Sequence, residues 1–176
     1  LGIGAFLTFI LLFFYFGRIS RAFMGHKKST EGTQTFSLRA AMIVVGGFCL
    51  YALLYLSASN AKTETVQSQF TSVHPLLRLT VSAVTILDRD LVITDMARSH
   101  EDYDKMGLAR KKNSLHYPQA DGYVHAIDLR TNTRAEWKNT VMEWYFWAMG
   151  FNTLRHVGTG DHLHVSLMIR ENPAAI

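Results

Sequence analysis

Cysteine is nearly missing from this chain of 176 residues; Cys49 alone carries a thiol. No intrachain disulfide can form, so an exported domain has to be held by its hydrophobic core or by a metal. Charge is absent from two long stretches, Leu1 to Gly17 and Ala40 to Leu56. Each is about 17 residues, which at about 1.5 Å per helical residue is the lower limit for crossing a hydrocarbon core of about 30 Å. No Ala-x-Ala-like cleavage site comes after the first stretch, and signal-peptide cores are usually shorter, so it reads as a span rather than a removed leader. The expected anchor is residues 1–59, with spans at about 1–17 and 40–56.

A charge surplus is missing from the rest of the chain. From Lys62 onward thirteen basic residues face thirteen acidic ones, whereas residues 18–39 hold Arg18, Arg21, Lys27, Lys28 and Arg39 against Glu31 alone, the whole formal excess of +4. A nucleic-acid-binding face is thereby disfavoured, since binding to phosphates is driven by basic side chains that displace counterions. Positive loops stay cytoplasmic. Both the N-terminus and the domain after Leu56 are therefore expected on the exterior, or periplasmic, side of a bacterial inner membrane or of a virion membrane. The basic loop itself suits anionic lipid headgroups.

Beyond the second apolar stretch the chain is mixed in character. Residues 60–73 are polar and read as a short tether; residues 74–176 read as a small α+β domain with a central antiparallel sheet. His74-Pro75 opens a helix whose apolar side is Leu76, Leu77, Leu79, Val81, Val84 and Leu87, proline being favoured in a first turn. Leu91 to Thr94 and Val124 to Leu129 read as strands, with a polar helix or turn from Arg98 to Met106 and a loop from Ala109 to Tyr123 between them. Thr133 to Met149 reads as an aromatic helix, capped by Thr133 with Glu136 three residues on and stopped by Gly150. Thr153 to Val157 and Leu163 to Ile169 complete a hairpin. Trp137, Trp144, Tyr145 and Trp147 read mainly as core, with a membrane-surface contact as the alternative.

The segment GDHLHVSL, Gly160 to Leu167, carries the chemistry. Side chains alternate faces along a strand, so His162 and His164 point the same way and put two imidazoles on one surface. An ordinary half-exposed strand has the same pattern. Further His and Asp residues recur at strand ends and in adjoining loops: His116 after Ser114, Asp128 at the end of a strand, Asp161 before His162. Two neutral imidazoles and a carboxylate make a three-ligand zinc site with a fourth position open to water, the arrangement of catalytic zinc.

Read in order, TDMARSHEDYDKM, SLHYPQADGYVHAIDL and GDHLHVSL resemble the zinc peptidases of the D-alanyl-D-alanine carboxypeptidase/endopeptidase family, which cleave peptidoglycan, include phage enzymes, and are related in fold to lysostaphin and the hedgehog domain. The resemblance spans about Leu91 to Leu167. It implies a Zn2+ cofactor bound by His116, Asp128 and His164, a substrate-binding Arg98 that holds a carboxylate or a peptide carbonyl, and Asp161 or His162 as the catalytic base. One departure is the spacing: eleven residues separate His116 from Asp128, against about six in the family, the extra ones lying in a Pro/Gly loop that tolerates insertion. Asp161 also stands where the family often has glutamate, which raises the standing of His162. His125 is an alternative first ligand, though three positions from Asp128 a strand residue faces the other side. His100 and His156 carry no pattern and read as solvent-facing.

The expected function is a membrane-anchored zinc metallopeptidase acting on a peptidoglycan stem peptide or cross-link. Two rivals stand beside it: a membrane structural or wall-binding protein that keeps the zinc fold without catalysis, and a holin-like membrane protein that works through its spans. The intact trio of ligands with proton carriers argues against the first.

Overall fold

The computed structural model describes residues 10–19, 22, 30–105, 107, 109, 113–158 and 160–168. Residues 1–9 of the first expected span, most of the basic loop and the expected end of the last strand at Ile169 lie outside the described residues. The chain divides into two compact units, Leu1–Tyr51 and Ala52–Ile176.

In the first unit, α1 is Ile10–Ile19, an apolar helix whose ten residues rise about 15 Å, half a hydrocarbon core. Helix α2 is Thr30–Leu54. Among the described residues it alone contains a stretch, Thr35–Leu54, long and apolar enough to cross a membrane by length and composition. One candidate span thus stands where two were expected. It also begins before Ala40, because Thr30 to Arg39 contains no proline and nothing stops the helix from extending back through that part of the expected loop. Ile43, Leu50 and Leu54 are exposed on α2.

In the second unit, the expected tether is folded. A 3-10 turn at Ala58–Asn60, helix α3 at Glu64–Ser68 and a second 3-10 turn at Gln69–Ser72 succeed one another. Val66, Phe70 and Val73, at helical spacing in a polar background, are buried in the main core cluster. The buried Asn60 amide donates to the carbonyls of Arg89 (3.2 Å) and Leu91 (2.7 Å), and Ala61 and Val73 bridge Ile93 and Val124. Three anchoring apolar residues are enough to hold a segment whose other side chains are polar.

Helix α4, Pro75–Leu87, starts as expected, with His74 as its cap: the His74 Nδ1 accepts the Leu76 N–H at 3.2 Å. Strand β1 is Ile93–Asp95, α5 is His100–Lys105 and β2 is Ala126–Arg130. Helix α6 is Glu136–Ala148, two residues shorter at its start than a Thr133 cap requires. Thr133 instead sits at φ 65°, with its hydroxyl donating to the Asn132 carbonyl, and Ala135 takes the cap position. Gly150, at φ 87°, ends α6 as expected, its N–H reaching the Trp147 carbonyl. Strands β3, Asn152–His156, and β4, His162–Ser166, form the hairpin.

The four strands form one antiparallel sheet in the order β1-β2-β4-β3. Ile127, Leu129, Leu163 and Val165 turn one face into the core with Leu77 and Val81 of α4 and Met142 and Phe146 of α6. Alternation then sends Asp128, Arg130, Leu154, His156, His162 and His164 to the other face. Register aligns them in two rows: Asp128, His164 and Leu154 in one, Arg130, His162 and His156 in the next.

Candidate metal centre

Asp128 is the centre of the polar face. Its carboxylate is buried, with Oδ1 2.8 Å from His164 Nδ1 and 3.4 Å from His116 Nε2, while Oδ2 accepts Arg98 Nη2 at 2.6 Å. The two imidazole nitrogens are 3.3 Å apart. Three side chains expected to meet from distant parts of the chain therefore do meet, with potential ligand atoms all within 4.8 Å of one another. Burial alone would raise the Asp128 pKa; hydrogen bonds from His116 and His164, and their charges, overcome it and hold the carboxyl well below the usual carboxylate range.

The loop expected after Ala109 delivers His116. Tyr103 of α5 hydrogen-bonds Ser114 Oγ at 2.6 Å, and that oxygen accepts the His116 N–H at 3.3 Å. The Arg98 N–H donates to the His116 carbonyl. His116 Nδ1 lies 2.6 Å from the Met96 carbonyl. A carbonyl oxygen only accepts, so Nδ1 carries a proton there, and Nε2 is the nitrogen turned toward Asp128 and His164. Imidazoles that bind metals are held in this way, with the far nitrogen donating to an oxygen. The donor set of two imidazoles and one carboxylate, so oriented, fits Zn2+.

His74, Asp121 and His125 form a second group of three potential ligands. His125 Nε2 is 2.9 Å and His74 Nε2 3.7 Å from Asp121 Oδ2. Here the tautomer works against a cation. His74 Nδ1 already uses its lone pair on the Leu76 N–H, so the ring's proton resides on Nε2, the atom a metal would need. The group instead clamps the His116 loop to the start of α4. His125, the alternative first ligand, belongs to this clamp and is absent from the Asp128 cluster.

Arg98 lines the cleft, but its guanidinium is engaged by carboxylates: Nε donates to Asp95 Oδ2 at 2.6 Å and Nη2 to Asp128. It orients Asp128 and leaves Oδ1 to face the imidazoles. His162 lies on the same wall, its Nδ1 2.5 Å from the Gly160 carbonyl and its Nε2 3.8 Å from Asp128 Oδ2. The carbonyl fixes the proton on Nδ1 and leaves Nε2 basic. Asp161 points away. One position from His162 it faces the opposite side of β4, where Arg155 Nε donates to its Oδ1 at 3.3 Å, and that bond holds its pKa below the usual value.

Arg98, His116, Asp128, His162 and His164 line a cleft of about 270 Å³. No family model, curated protein or solved structure matches the chain.

Two residues at or beside the cleft were given no role from the sequence. His156 is exposed, as expected, and it also lines the cleft and stacks on His162 with ring centroids 4.7 Å apart. The signal was available in the hairpin, since positions 156 and 162 are equidistant from the turn and pair across it. Asp95 was overlooked although it lies three residues before Arg98 and braces it.

Proposed function

We propose that this chain is a membrane-anchored, zinc-dependent peptidase that cleaves peptide bonds of the peptidoglycan stem or cross-link. The observation that carries the reading is the convergence of His116 Nε2, Asp128 Oδ1 and His164 Nδ1 in one cleft, with His116 Nδ1 already donating to the Met96 carbonyl. These three would hold the metal. Bound there, zinc supplies Lewis acidity toward a scissile carbonyl and lowers the pKa of water.

The chain's own groups do the rest. Arg98 keeps Asp128 oriented, and its guanidinium forms the cleft edge at which a substrate carboxylate or peptide carbonyl is drawn in. His162 Nε2 accepts a proton from water in the cleft and returns it to the departing amine. His156, stacked on His162, limits how far that ring turns. Asp161, held by Arg155, is not suited to the same task.

Location supports a wall substrate. Basic residues Arg18, Arg21, Lys27 and Lys28 precede the candidate span, Arg39 lies near its start, and the near-neutral unit comes after it, so one span gives the same orientation that two would, with the C-terminal unit outside.

The test is metal analysis of the purified full chain in detergent, together with digestion of isolated peptidoglycan with and without chelator. The expected result is release of soluble wall peptides that chelation stops and zinc restores. Absence of release from zinc-loaded protein overturns the proposal.

A further inference from the structure

The chain contains three tryptophans, and all three are on α6 and in the open: Trp137 is 67% exposed, Trp144 65% and Trp147 61%. Val141, also exposed, lies between them, and the spacing 137, 141, 144, 147 runs along one side of a helix. The opposite side of α6 buries Asn139, Met142 and Phe146. Helix α6 is therefore apolar on two faces and covered on one.

The open ground is broader than the helix. Trp144 and Trp147 pack edge to face, with ring centroids 5.8 Å apart, beside a hollow of about 270 Å³ that Glu143 and Thr153 complete. A second hollow, about 290 Å³, joins Trp137 and Val141 to Leu87 at the end of α4, and Leu87 is 88% exposed. A single indole carries about 150–250 Å² of surface, so this region exceeds the few hundred Å² at which an exposed apolar patch marks an interaction site.

The chain's own course indicates the occupant. The candidate span ends at Leu54, while the second unit already begins at Ala52. The Ala52 carbonyl accepts the Ser82 hydroxyl and the Leu53 carbonyl accepts Arg78, and Leu56 is in the core. The core residue Leu56 follows the end of the candidate span by two positions in the chain, so the covalent chain tethers this unit to any bilayer that α2 crosses. Indole prefers the headgroup level, where its ring is shielded and its N–H stays wet. The thirteen acidic and thirteen basic residues from Lys62 onward leave no net charge to attract a charged partner, and interfacial seating of indoles needs none.

We propose that the outer face of α6, with Leu87 at its edge, is a lipid-contact surface that seats among the headgroups and upper acyl chains of the bilayer crossed by α2. The proposal rests on the membrane anchoring inferred for this chain and is independent of the metal centre.

Because every tryptophan lies on this face, intrinsic fluorescence of the full chain reports on it alone. The protein is reconstituted in phosphatidylcholine vesicles with and without lipid brominated near the top of its acyl chains, and insertion is checked by flotation after an alkaline wash. Seating at the interface is expected to give an emission loss of about twofold or more with brominated lipid, since indoles at headgroup level lie close to that bromine. The loss is expected to be insensitive to salt, and acrylamide in the water is expected to quench little. Emission quenched by acrylamide but untouched by brominated lipid, in protein that floats with the vesicles, overturns the proposal. Shielding from both quenchers that is lost on dilution into empty vesicles overturns it in favour of a second copy. Shielding that appears only with added peptidoglycan fragments overturns it in favour of substrate. Protein that does not float removes the membrane reading itself, a result distinct from the others.

Discussion

His116 donates its Nδ1 proton to the Met96 carbonyl and turns Nε2 toward Asp128 and His164, while His74 spends its Nδ1 lone pair on a helix N-terminus. The residue types match in the two clusters; the use of Nδ1 does not, and it distinguishes a candidate metal centre from a structural clamp. The same logic favours His162 as the proton carrier of the proposed reaction. His162→Gln is expected to retain the metal and lower peptide release by about 10²–10⁴-fold, the range of a lost general acid/base. Asp161→Asn is expected to leave both close to the parent, and metal content with release assays on the two variants decides between them. That His116, Asp128 and His164 meet was expected from the motif order that resembles a zinc peptidase family; residue types alone left Asp161 and His162 in the same pool. Asp161 was not separable from His162 until strand alternation fixed its face, and His156 acquired a role only through register.

Away from the cleft, Asp88 at the end of α4 accepts Arg134 Nη2 at 2.6 Å. Burial raises the Asp88 pKa, but the Arg134 hydrogen bond and charge, with Lys138, bring it below the usual value. The anion is thus favoured in the folded state. Its contribution is complete above the unfolded-state pKa of about 4 and is lost as pH falls through the lower folded value. Stability of the parent is expected to fall more steeply in that acid window than stability of Asp88→Asn, as measured by denaturant unfolding at several pH values.

At the scale of elements, the helices and strands with strong periodicity were legible: α4, α6, β2 and the β3–β4 hairpin all lie close to their expected places. The tether was misread because composition averages over a segment, whereas burial requires only a few well-spaced residues. Val66, Phe70 and Val73 supply them. Phe70→Ala is expected to destabilise the protein by about 3–5 kcal/mol, the cost of an emptied phenylalanine site in a packed core; a free tether would show almost no change. The start of α6 was misplaced for a different reason. Thr133 and Glu136 have the spacing of a capping box, but Thr133 adopts φ 65°, and from there its hydroxyl bonds the preceding carbonyl instead of a helical N–H. Sequence spacing identifies which groups are able to cap and leaves the backbone conformation open.

For the whole molecule, two properties share one chain: an apolar helix whose side chains face outward and a neutral α+β unit with a convergent polar cleft. Cys49 lies inside the candidate span Thr35–Leu54 and is the only thiol. In sealed vesicles it is expected to resist a water-soluble maleimide until detergent is added, and immediate labelling would remove α2 from the bilayer. The central claim is the metal centre, and zinc X-ray absorption on the zinc-loaded full chain tests it most directly. Two imidazole nitrogens at about 2.0–2.1 Å and a carboxylate oxygen at about 2.0–2.2 Å are expected, and the signal should disappear in His116→Ala. A chain that retains no zinc, or whose zinc shell survives that substitution unchanged, would contradict the account.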